Sequence, residues 1–169
     1  RAGNVIGGGD FAKDRIIPDC IRAVGQKKAI VVRNPYSIRP YQHVLEPLAI
    51  YLTIAQKQYE DISFAGFYNV GPSDNDCITT GELVDLFCLK WGEEAKWINQ
   101  YDAGPHEANF LKLDCSRLRS KFDWKPRWNV EQAVEKTVEW AKVYLTEKSI
   151  PVCMDMQIEE FFTDRKALQ

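Results

Sequence analysis

Short apolar segments rich in β-branched residues alternate with longer segments of helical periodicity along this chain. Residues 29–32 and 66–70 have the composition of buried strands, whereas residues 43–58 carry apolar side chains at helical spacing. Such alternation predicts an α/β fold with a mainly parallel sheet. Only three or four short strands are predicted, which fits the second half of a larger α/β protein better than a complete one.

Capping residues mark the ends of several predicted helices. Thr79 and Glu82 stand at the spacing of a capping box, which predicts a helix through Trp91. Asn129 is a good N-cap for a long helix over residues 130–145 with one apolar stripe. The other predicted elements are a helix over residues 16–24, a helix capped by Asp114 or Ser116 and ending near Phe122, a weaker helix over residues 154–162, and strands over residues 1–6 and 96–98.

The chain opens on Arg1 rather than Met and runs at once into the first predicted strand. Its 169 residues suit one domain. A start inside a strand is nevertheless typical of a piece of a longer protein. We therefore expect residues 1–169 to be the C-terminal portion of a protein whose N-terminal half is absent from this sequence.

Composition argues against several function classes. The 22 Lys and Arg residues nearly balance 24 Asp and Glu residues, and the net charge of −2 disfavours nucleic acid or an anionic membrane as a partner. No apolar run approaches the roughly 18 residues of a membrane span. Five cysteines without a CxxC pair predict reduced thiols in a cytoplasmic protein. Two histidines with no carboxylate at ligand spacing predict no metal site.

A glycine run follows the first predicted strand. Gly7, Gly9 and Ala12 formally match the dinucleotide-binding spacing G-x-G-x-x-A. The residues after them do not open a clean helix, and no acidic residue stands at a strand end about twenty residues further on. We interpret the run as a loop whose backbone approaches a ligand closely, with a simple flexible turn as the alternative.

Polar side chains stand near predicted strand ends, where open α/β sheets bind ligands. Asn4 and Asn69 could each contact a phosphate or a sugar hydroxyl, or cap their own loops. Arg39 has the donor fork that clamps a pyrophosphate, although an arginine in this setting is also common as a solvated surface charge. His106 and Glu107 could form an acid–base pair or belong to a polar loop.

These segments, in this order, resemble the CDP-glucose 4,6-dehydratases, which belong to the extended short-chain dehydrogenase/reductase (SDR) family. The similarity extends from residue 1 to about residue 145, and the CDP-glucose assignment depends mainly on the glycine run and on residues 106–108. The motifs are R-A-G-N-V-I-G-G-G-D-F-A-K-D-R-I-I-P-D at residues 1–19, I-R-P-Y-Q-H-V-L-E-P-L at 38–48, Y-N-V-G-P at 68–72, P-H-E-A at 105–108, L-K-L-D at 111–114, W-K-P-R-W at 124–128 and T-V-E-W at 137–140.

The resemblance implies an NAD(P)-binding Rossmann-type fold with a small C-terminal substrate-binding lobe. This chain would hold the last Rossmann strands and helices and that lobe, while the N-terminal half would bind most of the NAD. The implied reaction converts CDP-glucose to CDP-4-keto-6-deoxyglucose and water, by NAD-dependent oxidation at C4, elimination across C5 and C6, and return of the hydride to C6. The implied context is surface polysaccharide biosynthesis by a homo-oligomeric enzyme, a dimer or tetramer.

No catalytic residue carries over from the family to this chain. The family's glycine-rich NAD loop and its Tyr-x-x-x-Lys pair fall upstream of Arg1. Tyr144 and Lys148 have that spacing but come too late in the chain to be the pair.

The resemblance implies several substrate-side residues. Asn4 and Arg39 would contact the nucleotide diphosphate, Arg15 is a further candidate, and Asn69 would support the same pocket. Wider relatives carry an arginine near positions 103–104, which His106 or Glu107 would replace here. The segment Gly3, Asn4 and Val5 would border the nicotinamide end of NAD.

We expect this chain by itself to be catalytically inactive. One alternative is another NAD-dependent enzyme on the same scaffold, such as an epimerase, a decarboxylase or a different sugar-nucleotide dehydratase. The other alternative is a non-catalytic lobe that binds sugar nucleotides.

Overall fold

Five short strands and six helices follow one another in the computed structural model, which describes residues 1–92, 94–100 and 109–163. The strands are β1 (Asn4–Ile6), β2 (Ile30–Val32), β3 (Ile38–His43), β4 (Cys77–Thr79) and β5 (Trp97–Asn99). The helices are α1 (Ile16–Gly25), α2 (Leu45–Glu60), α3 (Thr80–Trp91), α4 (Ser116–Phe122), α5 (Val130–Leu145) and α6 (Ile150–Thr163). Short 3₁₀ turns cover Ile62–Phe64 and Asp74–Asp76.

The strands form two small sheets. In the first sheet β3 lies between β1, to which it is parallel, and β4, to which it is antiparallel. The second sheet pairs β2 with β5 in parallel. In the register of the first sheet, Asn4 of β1 lies beside Tyr41 of β3, and Arg39 of β3 lies beside Ile78 of β4. Strand β3 therefore brings residues of β1 and β4 close to each other.

Strand β3 corrects the expectation that a helix begins at residue 43. Residues Ile38–His43 are extended, and helix α2 begins only at Leu45. Pro40 sits within this strand, where a proline normally argues against strand pairing because it lacks an N–H donor. It is tolerated at the point where β3 changes partners, from β4 to β1.

The strand expected over residues 66–70 is also corrected. Within the described residues, only Val70 pairs there, through an isolated parallel bridge to Ala2. Phe67 is 93% exposed, so the segment buries little apolar surface before that bridge.

The capping residues, by contrast, do what their spacing predicts. Thr79 and Glu82 form a reciprocal capping box at the start of α3, and Asn129 forms another with Gln132 at the start of α5. The Asp114 side chain accepts a 2.9 Å hydrogen bond from the Ser116 backbone N–H ahead of α4. These helix starts are local features, which is why the sequence predicts them well.

The main hydrophobic core lies between the strands and three helices, α1, α3 and α5. Ile30 of β2, Phe87 of α3 and Ala133 of α5 are completely buried in it. A smaller cluster lies under α2 and is built from Ile50, Tyr68, Val70 and Leu118. All five thiols are free. Among the described residues, no helix is both long and apolar enough to cross a membrane.

The glycine run connects β1 to α1 without forming a dinucleotide fingerprint. Helix α1 begins at Ile16, well after Ala12, so the glycines do not open a helix. Gly9 has φ +81°, a conformation that favours glycine. Gly8 packs directly against the Trp140 indole of α5, and a Cβ at this position would overlap the ring.

Candidate functional site

A cavity of about 910 Å³, here called the main cavity, opens beside β1. Its walls come from β1, the loop after β1, the first turn of α1, the end of β2 and the outer part of β3. Five of the residues singled out from the sequence line it, namely Gly3, Asn4, Val5, Arg15 and Arg39. These residues are up to 36 positions apart in the chain, and the pairing of β1 with β3 brings the two ends of this set together.

Asn4 presents a side-chain amide to the main cavity. The residue is half-buried, and its side chain makes no hydrogen bond to any described residue. An amide has two donors and an acceptor, which favour a polar ligand when the protein leaves them unused. Gly3, its neighbour, is constrained by packing instead, because a Cβ there would lie 2.7 Å from the Pro40 carbonyl oxygen.

Arg39 and Tyr41 reach the main cavity from β3. They are two positions apart, so a strand points both side chains to the same face. Arg39 is half-buried, and its Nη1 donates a 2.9 Å hydrogen bond to the carbonyl oxygen of Ile38. A guanidinium group carries five N–H donors in a planar fork, the geometry that suits a phosphate.

Arg15 precedes the first turn of α1, which also lines the main cavity. Within the described structure Arg15 gives that helix no side-chain cap. The backbone N–H groups of the first turn, including Ile16 and Ile17, therefore remain to be satisfied by solvent or ligand. The positive end of the helix dipole adds to the suitability of this wall for an anion.

Three hydroxyl groups of the cavity wall were not singled out from the sequence. The Thr80 hydroxyl lies 3.0 Å from the Tyr41 hydroxyl and 3.0 Å from the Ser37 hydroxyl, and all three residues are nearly buried. Ser37 and Thr80 are 43 positions apart, so no local pattern links them. The spacing of Arg39 and Tyr41 on one strand is the only signal that could have suggested Tyr41.

Asn69 is not brought to the main cavity. Its side-chain Nδ2 donates a 2.9 Å hydrogen bond to the Asp114 carbonyl oxygen. It lines a second cavity, of about 640 Å³, together with Tyr51, Tyr68 and Arg117. His106 and Glu107, the remaining predicted site residues, lie outside the described residues.

A buried polar cluster lies behind the loop that bounds the main cavity. The His43 Nδ1 accepts a 3.3 Å hydrogen bond from the Leu45 backbone N–H, so the proton of the neutral ring belongs on Nε2. Burial, with a smaller contribution from the charge of Lys136, lowers the pKa of His43 to about 4. A Cβ at Gly7 would lie 3.6 Å from this Nε2, which locates His43 directly beneath the glycine loop.

Polar and charged groups dominate the described lining of the main cavity. Its described lining offers an amide, guanidinium groups, hydroxyls and carboxylates, and it contains no His, Lys or Cys. No cluster of three or more metal-ligating side chains occurs among the described residues. The groups present suit a ligand that carries both negative charge and several hydroxyl groups.

Comparison with known proteins identifies a relative for nearly the whole chain. Over 164 residues, or 96% of the chain, the sequence is 43% identical to the CDP-glucose 4,6-dehydratase of Salmonella typhimurium. The match covers 46% of that enzyme, so the chain spans about half the length of this curated relative. No family model matches the chain.

Solved structures of sugar-nucleotide enzymes share the fold. The dTDP-glucose 4,6-dehydratase of Bacillus anthracis, in complex with NAD, aligns with a TM-score of 0.64 at 18% identity, over 84% of this chain and 43% of that one. The UDP-glucuronic acid 4-epimerase of Bacillus cereus, in complex with UDP-glucuronic acid and NAD, aligns with a TM-score of 0.69 at 14% identity, over 85% of this chain and 44% of the epimerase. The UDP-glucose 4-epimerase of Thermotoga maritima, with UDP-glucose, aligns with a TM-score of 0.69 at 18% identity, over 86% of this chain and 45% of that epimerase.

These matches confirm the α/β fold class and the resemblance expected from the motifs. The chain has the fold of the C-terminal part of the NAD-binding, Rossmann-type extended SDR proteins, and its sequence is similar to that of a CDP-glucose 4,6-dehydratase over 96% of its length.

Proposed function

We propose that this chain provides the sugar-nucleotide-binding part of an NAD-dependent CDP-glucose 4,6-dehydratase. The observation that carries the proposal is that Asn4, Arg15 and Arg39 line one cavity. In that enzyme CDP-glucose would lose water to give CDP-4-keto-6-deoxyglucose. The 43% identity to the Salmonella enzyme supports cytidine as the base and glucose as the sugar.

The diphosphate is proposed to lie between Arg39 and the first turn of α1. Arg39 can give two parallel N–H···O hydrogen bonds to one phosphate, and each charge-assisted bond contributes about 1.5–3 kcal/mol. Arg15 and the backbone N–H groups of Ile16 and Ile17 would face the other phosphate. In this assignment one phosphate group faces the positive charge of Arg39, and the other faces that of Arg15.

The sugar is proposed to lie toward the end of β1 and the hydroxyl groups of the opposite wall. The Asn4 amide is the side chain there without a partner among described residues, and it can bind a hydroxyl or a phosphate oxygen. Tyr41 and Thr80 hold each other at 3.0 Å and so present their hydroxyls in a fixed position.

NAD is the cofactor expected for such an enzyme, and it supplies a reversible hydride acceptor when bound. Gly3, Asn4 and Val5 would border its nicotinamide end, and all three line the main cavity. The Asn4 amide, which has no partner among the described residues, can bind a polar group of that ring. We propose that the rest of the cofactor is bound outside this chain.

Isothermal calorimetry on the 169-residue chain tests the proposal, with CDP-glucose, UDP-glucose and CDP as ligands. We expect CDP-glucose and CDP to bind and UDP-glucose to bind more weakly. Arg39→Ala should weaken the binding of CDP-glucose by about tenfold or more, because a pair of charge-assisted hydrogen bonds is lost. Arg39→Lys should recover only part of that loss, since an ammonium group cannot bind in bidentate fashion.

The outcomes separate the alternatives. Preference for UDP-glucose would indicate a different sugar-nucleotide enzyme on the same scaffold, and no binding of any of the three ligands would overturn the proposal. Incubation with CDP-glucose and NAD should give no dehydrated product by mass spectrometry, because the described lining of the main cavity includes no Lys and therefore no Tyr–Lys pair of the family's kind. Product from the purified chain would contradict that expectation.

A further inference from the structure

Two arginines at the main cavity are paired with two aspartates of one loop, residues 7–15, here called the 7–15 loop. Asp10 pairs with Arg15 at 3.2 Å, within the loop itself. Asp14 pairs with Arg33 at 2.7 Å, and this contact joins the loop to the residue after β2 on the other side of the cavity. All four side chains line the main cavity.

Within the part of the chain that the structure describes, the lining of the main cavity carries no net charge. Among its described lining residues, the three arginines at 15, 33 and 39 are balanced by the three aspartates at 10, 14 and 19. Asp19 pairs with Arg22 of α1, outside the lining. A diphosphate carries about two negative charges, so a cavity that keeps its aspartates next to its arginines attracts such a ligand only weakly.

The Asp14–Arg33 pair is suited to exchange. The Asp14 side chain is 76% exposed and that of Arg33 58%, and ion pairs this exposed stabilise a protein little. A phosphate offers the same guanidinium group a bidentate partner with more charge, and such a pair is the stronger one. The aspartate therefore holds a position that a phosphate can take at small cost.

The structure of the loop confines the movement to the neighbourhood of Asp14. Arg22 donates hydrogen bonds to the Phe11 and Ala12 carbonyl oxygens, and the Phe11 ring packs 5.3 Å from the Tyr144 ring, so the first half of the loop is anchored on α1 and α5. Asp14 follows these anchors and has φ +61°, an uncommon conformation for a residue other than glycine.

We propose that Arg33 is a further phosphate-binding residue and that Asp14 occupies its guanidinium group until a nucleoside diphosphate displaces it. This inference rests on the proposed function, because it takes the ligand to be a sugar nucleotide. Asp14 is thus an internal competitor of the ligand, and only the part of the 7–15 loop around Asp14 has to move when the phosphate binds.

A double-mutant cycle with CDP as the probe tests the exchange. Asp14→Asn should tighten CDP binding by about two- to fivefold, because an exposed ion pair no longer has to be broken. Arg33→Ala should weaken binding by about tenfold, because a charge-assisted contact to phosphate is lost. In the Arg33→Ala background Asp14→Asn should have no effect, since its partner is gone. Asp155→Asn, an exposed position on α6, makes the same charge change away from the cavity and is the control.

The possible outcomes distinguish failure of the proposed function from failure of the Arg33–Asp14 exchange. No binding of CDP by the unmodified chain would overturn the proposed function itself. Binding that is unaffected by Arg33→Ala would show that this arginine does not contact the ligand and would overturn the inference alone. Equal tightening by Asp14→Asn in both backgrounds, or by Asp155→Asn, would indicate a general charge effect and would also overturn it.

Discussion

The Glu46 carboxylate accepts a 2.7 Å hydrogen bond from the backbone N–H of Trp128, 82 positions further along the chain. The same oxygen accepts a second bond, at 2.8 Å, from the N–H of Arg127. Glu46 is 1% exposed, so a buried carboxylate joins the first turn of α2 to the segment before α5. The Trp128 ring packs 4.9 Å from His43, which extends this junction to the floor of the glycine loop.

Replacement of Glu46 by Ala should destabilise the fold by about 2–4 kcal/mol, because the buried Trp128 N–H and the partly buried Arg127 N–H lose their acceptor. Urea unfolding followed by circular dichroism measures the effect. Glu159→Ala, at an exposed position on α6, should change the free energy of unfolding by less than about 0.5 kcal/mol. Equal effects of the two substitutions would show that the buried carboxylate is not a structural junction.

Glu46 should make stability fall as the pH rises. Burial, only partly offset by the hydrogen bonds from Trp128 and Arg127, raises its pKa from 4.5 to about 7. The folded state therefore holds the proton more tightly than the unfolded state does. The resulting stabilisation is complete below pH 4.5 and is lost as the pH rises through 7. Glu46→Gln should remove this decrease of stability with pH. Urea unfolding midpoints measured between pH 4 and 8 provide the check, and a decrease that persists in the variant would contradict the assignment to Glu46.

His43 should have the opposite effect. Its pKa is lowered from 6.5 to about 4, mainly by burial, so the folded state disfavours the proton. Stability from this residue is present above pH 6.5 and is lost as the pH falls toward 4. His43→Asn, which keeps an acceptor for the Leu45 N–H, should flatten the acid side of the profile. If the variant loses stability toward low pH as the unmodified protein does, other titrating groups cause that loss.

Gly8→Ala should destabilise the protein because its Cβ would overlap the Trp140 ring. Overpacking of this kind typically costs about 1–3 kcal/mol. Adding Trp140→Leu should recover part of the loss, since the smaller side chain leaves space for the new methyl group. Thermal unfolding of the two single variants and the double variant checks the coupling, and simple additivity would argue against direct overlap.

Asn4 and Asn69 should differ in their effect on CDP-glucose binding. Asn4→Ala should weaken binding severalfold, because its amide faces the main cavity, whereas Asn69→Ala should change it by less than about twofold. Calorimetry on the two variants, which make the same chemical change, provides the comparison. Equal losses would indicate that the second cavity also takes part in ligand binding.

Helix starts and the fold class were open to prediction because they depend on neighbouring residues. Asn129 and Gln132 form their capping box three positions apart, and the Thr79–Glu82 box has the same spacing. Strand β3 was not predicted, because Pro40 and the polar residues around it are typical of a turn followed by a helix start. Their extended conformation is fixed by pairing with β1 and β4, which are distant in sequence.

For the candidate site, the sequence by itself determined the kinds of groups present and the family they resemble. Only the tertiary structure decided which of them meet. It brought Asn4, Arg15 and Arg39 to one cavity, added Arg33 and the Ser37–Thr80 hydroxyl pair, and left Asn69 at another. The physical reason is that a ligand site on an α/β sheet is formed by residues from separate strands and loops. Their distances depend on strand order and register, and no short stretch of the chain specifies either.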